Sequence, residues 1–171
     1  MWVKIFDVQD GVIRPSEQCY TLKTLKAIID AYPEDHMTRY LYIFYMTCPD
    51  PLSNPFFNLP EDEKQSVIIQ EIKADFSLDD PLMDAAIAFC NSLYDTPTKR
   101  AYEGIKIMMD KLATFFRTQS LSTGRDGSLT PMVGAAEKYQ KLRESYKGIE
   151  KDYNDEIKNR VRGDRFKSYD Q

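Results

Sequence analysis

The residue best suited to proton transfer is His36, the only histidine in a chain of 171 residues. A Ser-His-Asp or Cys-His arrangement would have to use this imidazole, with Asp35 and Arg39 nearby in sequence. His36 falls at the start of an expected helix, where a solvated imidazole is common, so we assign it no catalytic role. The sequence therefore predicts no catalytic residue.

Nucleophilic or metal chemistry would otherwise depend on the three cysteines. Cys19, Cys48 and Cys90 are widely spaced and form no CxxC pair, and a single histidine cannot complete a zinc site with them without distant partners. Their odd number favours reduced, partly buried thiols in a chain that folds in a cytosol. We predict no metal site and no cofactor-binding site.

Two further stretches have residue types that bind ions. Asp79, Asp80 and Asp84 supply the oxygen ligands that divalent cations prefer. Asp79 and Asp80 also precede Pro81 at an expected helix start, where a carboxylate accepts hydrogen bonds from free N–H groups, and we favour this capping role. Residues 124–128 (GRDGS) lack the spacing of a phosphate-binding loop, so they predict an exposed turn, with a polar contact to a neighbouring subunit as the alternative.

The end of the chain is basic and partly aromatic. From Lys158 onward there are five basic residues against two acidic ones. Such an arm could bind nucleic acid through phosphate neutralisation and base stacking, or form a solvated helix end, or dock onto an acidic, partly apolar groove of another subunit. We favour docking because the arm carries apolar anchors. The predicted partner-binding residues of the arm are Arg160, Arg162, Arg165, Phe166, Lys167 and Tyr169.

The segment Cys48–Pro60 contains four of the nine prolines, which exclude regular structure. It also carries two adjacent phenylalanines, Phe56 and Phe57. A lid over the domain's own core is the favoured interpretation, and an anchor inserted into a partner is the alternative. We include both phenylalanines among the predicted partner-binding residues.

Apolar periodicity predicts a mainly α protein, a bundle of about six helices. A short β-hairpin (about residues 1–14) is expected first, with strands at 3–6 and 12–14 around the turn Asp10–Gly11. The last helix, 130–161, would be roughly 45 Å long at about 1.5 Å per residue, so its far end is expected to contact another chain. The expected domain spans 1–157, followed by the basic arm 158–171.

The same periodicity predicts which side chains face inward. On the helix after Pro81 they are Leu82, Ala85, Ala86, Phe89, Leu93 and Tyr94. On the helix after Pro97 they are Ala101, Ile105, Met108, Met109, Leu112, Phe115 and Phe116. On the last helix they are Met132, Ala135, Tyr139, Leu142, Tyr146, Ile149 and Tyr153.

Charge and hydropathy limit the classes of function. A net charge of −4 excludes a generally basic nucleic-acid binder, but residues 61–84 hold eight acids against two lysines. Together with the basic arm, this asymmetry suits head-to-tail contact between identical subunits, or contact with two different neighbours. The N-terminus lacks the apolar core of a signal peptide, and no run approaches the roughly 18 apolar residues of a membrane span. We expect a soluble protein made inside a cell, with no membrane partner.

Several strings of the sequence resemble those of one group of viral proteins. They are Trp2–Asp7, Phe44–Pro49, Asn54–Pro60, Gly124–Gly127 and Arg162–Asp164. In these the chain resembles, over its whole length, a small virion structural protein of crAss-like tailed bacteriophages. Its general build is also similar to the head-to-tail adaptor (ring) proteins of short-tailed phages, which are helical bundles with a C-terminal arm.

The resemblance implies a homo-oligomer, a dodecameric ring, bound to the portal protein and to other ring or tail proteins. The particle would assemble in the host bacterial cytoplasm, with the arm from about Lys158 reaching the portal and the Phe56–Phe57 loop or the hairpin facing a neighbour. Contact with DNA passing through the channel is left open. The expected function is that of a non-enzymatic head-to-tail connector. An auxiliary capsid protein and a nucleic-acid-binding regulator using the basic arm are the alternatives, and a small enzyme is least favoured.

Overall fold

The computed structural model describes residues 4–9, 11–118 and 130–161. The described chain is mainly helical, with an N-terminal hairpin and a long C-terminal helix, which confirms the predicted fold class. The elements are β1 Phe6–Gln9, β2 Val12–Pro15, a 3₁₀ turn Glu17–Tyr20, α1 Lys23–Ala31, α2 His36–Thr47, α3 Glu61–Ile72, α4 Pro81–Tyr94, α5 Pro97–Thr118 and α6 Thr130–Val161. Among these described residues, no helix is both long and apolar enough to cross a membrane.

The chain divides into two compact units. The first comprises residues 1–95 and 156–171, and the second comprises residues 96–155. The first unit therefore holds the hairpin, α1 to α4 and the C-terminal end of α6, while α5 and the rest of α6 form the second. The expected boundary at residue 158 falls inside α6, because this helix continues to Val161.

The hairpin turns where the sequence predicts, but its first strand is displaced. Gly11 adopts a φ of +77°, and the strands pair antiparallel with Gln9 opposite Val12 and Phe6 opposite Pro15. A two-residue turn requires this register, so β1 starts at Phe6 and the predicted strand at 3–6 was wrong. Ile5 and Phe6 are both buried.

Helix α2 forms the centre of the first unit. Its Tyr40, Ile43 and Phe44 are almost completely buried, as its nearly continuous apolar sequence predicts. The ring of Phe6 meets that of Phe44 edge-on at 5.4 Å, and the Tyr40 hydroxyl donates to the Leu25 carbonyl at 2.8 Å. These contacts hold the hairpin and α1 against α2.

A buried cation, Arg39, joins three other parts of this unit. Its guanidinium lies 3.5 Å from the ring centroid of Tyr32 and 4.5 Å from that of Phe76. Nη1 is 3.0 Å from Oδ2 of Asp80, and Nε is 3.2 Å from Oδ2 of Asp35. Two aromatic faces and two carboxylates therefore surround one charge, an arrangement we call the Arg39 clamp.

Asp80 also caps α4, which confirms the predicted capping role. Its Oδ1 accepts a hydrogen bond from the Leu82 N–H at 2.9 Å, with Pro81 in the first turn. Burial disfavours the carboxylate. Hydrogen bonds from the Tyr32 hydroxyl and the first-turn N–H groups, together with Arg39, outweigh burial and lower the pKa of Asp80.

The inward face of α4 is rotated from the predicted one. Met83, Ala86, Cys90 and Tyr94 are buried, whereas the expected Leu82 and Ala85 are exposed. The reason is that Asp80 points inward to Arg39, and residues three and four positions apart along a helix share a face. The prediction for Leu82 and Ala85 was therefore wrong.

The second unit is an antiparallel helix pair joined by aromatic rings. Tyr102 of α5 stacks on Tyr146 and Tyr153 of α6, with centroids 5.6 and 4.8 Å apart, and Phe116 meets Tyr139 edge-on at 5.8 Å. The predicted seam residues Tyr139, Tyr146 and Tyr153 thus face α5 of the same chain. The side chains of Met132 and Ala135, predicted in the same seam, lie outside the described residues. The length of α6 therefore does not by itself require another polypeptide along this seam.

The α5 side of this pair differs from the predicted stripe. Ile105 is buried and Tyr102, Met109, Leu112 and Phe116 are half-buried, but the expected Ala101, Met108 and Phe115 are exposed. The inward stripe of α5 includes Tyr102 rather than its neighbour Ala101, because the Tyr102 ring contacts Tyr146 and Tyr153 of α6. The predictions of Ala101, Met108 and Phe115 as inward residues were wrong.

Hydrogen bonds connect the polar ends of these rings. The Tyr102 and Tyr146 hydroxyls are 3.2 Å apart, and the Tyr146 hydroxyl donates to Oε1 of Glu150 at 3.0 Å. The hydrogen bond with Tyr102, followed by burial and the bond with Glu150, raises the pKa of Tyr146 above its ordinary value.

We expect Arg39→Ala to lower the free energy of unfolding by about 3–5 kcal/mol, because Asp80 then remains buried without its cation. Urea denaturation followed by circular dichroism measures this change. Lys26→Ala, which removes an exposed cation from α1, is the matched control and should change stability by less than about 0.5 kcal/mol. Equal effects of the two substitutions would contradict a specific role for the clamp.

Tyr102→Ala removes the ring that two tyrosines of α6 share. Each aromatic pair contributes about 0.5–1.5 kcal/mol beyond area burial, so we expect a loss of about 1–3 kcal/mol in the second unit. Amide hydrogen exchange should accelerate in 97–118 and 130–155. The exposed Tyr20 of the first unit provides the control, and Tyr20→Ala should leave exchange in those segments unchanged.

Candidate functional site

His36 lies at the start of α2 and is half-exposed. Its Nδ1 is 2.7 Å from the Pro33 carbonyl oxygen, and its ring meets that of Tyr40 edge-on at 6.1 Å. A contact with a carbonyl at a helix start orients the imidazole locally.

All three cysteines are buried, and none forms a disulfide. Burial raises the pKa of Cys19 and of Cys90 to about 12, and the Cys19 thiol donates to the Ile5 carbonyl oxygen at 2.8 Å. The thiolate is the nucleophilic form, so these two thiols are poor nucleophiles near neutral pH. Within the described ranges, no group of three or more His, Cys, Asp or Glu side chains could hold a metal ion.

The segment Cys48–Pro60, which we call the proline loop, is organised by Asn54. This side chain is buried, and its Nδ2 donates to the carbonyl oxygens of Tyr45 and Cys48, both at 2.9 Å. Its Oδ1 accepts from the Phe56 N–H at 3.1 Å. The Asn54 amide thus supplies hydrogen-bond partners to backbone groups at the end of α2 and within the loop.

Asp50 makes a second set of bonds in the proline loop. Its carboxylate accepts from the Leu52 N–H at 3.2 Å and from the Ser53 hydroxyl at 2.5 Å. Nearby, the Lys64 ammonium of α3 donates to the Met46 carbonyl oxygen at 3.1 Å, and burial lowers its pKa. Hydrogen bonds therefore connect residues within the loop and link the start of α3 to the end of α2.

The two predicted anchors of this loop have different environments. Phe56 is half-buried and packs edge-on against Tyr45, with centroids 4.9 Å apart, as expected for a lid over the core. Phe57 is 41% exposed and Leu52 is 82% exposed. We call Leu52 and Phe57 the apolar knob, because the loop holds both side chains in water.

Arg160 is the predicted arm residue that the structure describes, and it contacts its own chain. Its guanidinium donates to the Leu93 carbonyl oxygen at the end of α4 and pairs with Glu156 at 2.9 Å. Ile157 and Val161, on the same final turns of α6, are buried in the first unit. These contacts fix the point from which the arm departs. Arg162, Arg165, Phe166, Lys167 and Tyr169 lie outside the described residues, as does the predicted turn at 124–128.

A groove between the hairpin and α2 was not anticipated from the sequence. Its volume is about 220 Å³, and we call it the hairpin groove. It is lined by Phe6, Ile13, Pro15, Met37, Thr38, Tyr40, Leu41 and Ile72. Met37 is 46% exposed at its mouth. Alternation along β2 places Ile13 and Pro15 on one face of the hairpin. Their position beside α2 depends on how β2 pairs with β1, and the predicted bounds of β1 were wrong.

A further apolar patch lies on α5. Ile107, Met108 and Phe115 are exposed there, although Met108 and Phe115 were expected to face inward. Exposed apolar side chains that cluster on one helix face are typical of contact surfaces. The described chain therefore has exposed apolar side chains in each of its two units.

Comparison with known proteins adds no assignment: no protein-family model, no curated protein and no solved structure matches the chain.

Asn54→Ala should lower the free energy of unfolding of the first unit by about 2–3 kcal/mol, because the buried carbonyls of Tyr45 and Cys48 lose their donor. Limited proteolysis should also cut the proline loop faster. Asn58, an exposed asparagine of the same loop, is the control, and Asn58→Ala should change stability by less than about 0.5 kcal/mol. Unaltered proteolysis of the Asn54 variant would contradict the role of its amide in holding the loop.

Proposed function

We propose that the protein is a non-enzymatic structural subunit of a tailed-phage particle, namely a head-to-tail connector (adaptor ring) subunit bound to the portal. The observation that carries this proposal is the apolar knob on the proline loop. Hydrogen bonds that Asn54 donates and Asp50 accepts hold the loop in a conformation that leaves Leu52 and Phe57 exposed. Such exposure is costly for an isolated chain and useful for one that contacts other chains.

The chemistry of the described residues also favours assembly over catalysis. The thiols of Cys19 and Cys90 are buried with raised pKa values, and the lining of the hairpin groove is apolar except for Thr38 and the Tyr40 hydroxyl, which bonds to Leu25. A catalytic site needs several polar groups that converge on a reacting atom. Contact surfaces need apolar anchors on a rigid support, which this loop supplies.

The charge distribution supports contact with more than one neighbour. Glu61, Asp62 and Glu63 are exposed at the start of α3, directly after the proline loop. The arm 162–171 carries three basic residues against two acids and follows α6, which ends at Val161. A basic segment and an acidic surface on one subunit suit two different contacts, and we assign the portal contact to the arm.

Truncation after Val161 should leave the melting temperature close to that of the full chain while abolishing incorporation into phage particles. Truncation after Asn159 removes two further residues, Arg160 and Val161, and should cost about 2–4 kcal/mol of stability because both are packed in the first unit. Particle composition after complementation of a deletion phage measures incorporation. Normal incorporation of the chain that ends at Val161 would remove the arm from the proposal, and electron microscopy of labelled particles separates a portal position from a capsid position.

A further inference from the structure

Helix α4 leaves an apolar stripe partly in water. Leu82 is 37% exposed and Ala85 is exposed, while Phe89 and Leu93 are only half-buried. These four residues follow one another at steps of three and four, so they share one side of the helix, and we call them the α4 stripe. Asp84 is the only charged residue of the helix. An exposed apolar stripe on a nearly uncharged helix is typical of a surface that another segment covers.

The described chain ends beside one end of this stripe. Arg160 donates to the Leu93 carbonyl oxygen, and the next residue, Val161, is buried in the same unit as α4. Ten residues, the arm 162–171, follow Val161 in the sequence. The arm therefore starts next to Leu93.

The arm is long enough to follow the whole stripe. Leu82 and Leu93 are eleven residues apart, which corresponds to about 16 Å along a helix at roughly 1.5 Å per residue. Phe166 is five residues beyond Val161, and an extended chain spans at most about 3.3–3.6 Å per residue, so this residue reaches roughly 17 Å. Phe166 can therefore reach any part of the stripe, and Tyr169 can reach beyond it.

Charges around α4 suit a basic segment. Residues 74–98 contain five acids and no base. Asp80 pairs with Arg39, and the other four acids are exposed, namely Asp75, Asp79, Asp84 and Asp95. The elements that pack beside α4 add three exposed bases and one exposed acid, which are Lys23, Lys26 and Asp30 of α1 and Lys158 of α6. Acids thus outnumber bases on this surface, whereas the arm has three bases against two acids.

We propose that the arm 162–171 folds back on its own chain and packs along the α4 stripe, with Phe166 covering apolar side chains and the basic residues of the arm facing the acids around α4. A tethered segment is present at an effective concentration in the millimolar range. A small apolar contact supported by charge is then sufficient for docking, although the same contact between separate molecules would be negligible at micromolar concentration. The docked arm is held weakly, so its removal should change the melting temperature little.

Docking on α4 regulates the arm. A segment bound to its own chain is withheld from other partners, and the apparent affinity of a partner falls by the fraction of chains in which the arm is free. A partner must therefore displace the arm from α4 before it can bind it. The docking concerns the free chain and does not depend on the connector role.

A photocrosslink tests the position of the arm. The crosslinking amino acid p-benzoylphenylalanine, placed at position 166 instead of Phe166, keeps an aromatic ring there and reacts with neighbouring C–H bonds when it is illuminated. Mass spectrometry of the illuminated full chain should identify crosslinks from position 166 to the peptide that contains residues 82–93. These crosslinks should lie within one chain, and their yield should not change with protein concentration.

Substitutions in the stripe test whether its apolar side chains hold the arm. Trypsin cuts after the basic residues of the arm, and docking should protect these sites. The double variant Leu82→Gln with Ala85→Gln should accelerate cleavage of the arm several-fold and lower the crosslink yield. Both positions are exposed, so the fold should persist, as thermal melting will verify. Leu78→Gln is the matched control because Leu78 is 42% exposed just before α4, and it should leave both readouts unchanged.

Three results would overturn the inference: no crosslink to residues 82–93, crosslinks that join two chains and increase with concentration, and equal cleavage of the arm in the double variant and the control. The second result would show that the stripe receives the arm of another copy. Incorporation into phage particles judges the connector role separately. If the arm docks on α4 but the protein enters no particle, only the connector role is lost. If the protein enters particles but its arm does not dock, only the docking is lost.

Discussion

The first unit depends on one buried positive charge. Arg39 lies between the rings of Tyr32 and Phe76 and pairs with Asp80, so the end of α1, the first turn of α2, the α3–α4 connection and the start of α4 meet at a single guanidinium. A buried ion pair adds little net stability compared with apolar packing, but it tolerates few alternative arrangements because each misplacement leaves a charge unpaired. The clamp therefore determines the inward face of α4 as well as its starting point.

Helix α2 supports two further features of the first unit, the hairpin groove and the proline loop. The hairpin packs through Phe6 on Phe44 and, together with residues 37–41 of α2, lines the hairpin groove. At the end of α2, Asn54 ties the proline loop to the last carbonyls of the helix. Neither surface depends on a partner for its shape. Under the proposed structural role, such preformed surfaces would favour assembly, since less ordering entropy opposes each contact.

The second unit uses a different means of holding two helices together. Its stacked tyrosines are half-buried, and their hydroxyls bond to one another and to Glu150. Rings with polar ends can pack on one side and meet water on the other. This pair therefore needs no deep core, and it leaves Ile107, Met108 and Phe115 of α5 exposed.

Local signals in the sequence determined the elements of this protein. Prolines at the starts of α4 and α5, the cap at Asp80 and the positive φ of Gly11 depend on neighbouring residues only, so the helices, their approximate bounds and the turn were predictable. Tertiary structure alone decided which of two adjacent stripes of α4 and α5 faces inward, and that Phe56 is covered while Phe57 is not. The physical reason is that these choices depend on partners far away in the chain: Arg39 for Asp80, and Tyr146 for Tyr102. A helical period in the sequence shows that a helix has an apolar stripe. Which face of the helix turns inward is determined by the surface that the helix packs against.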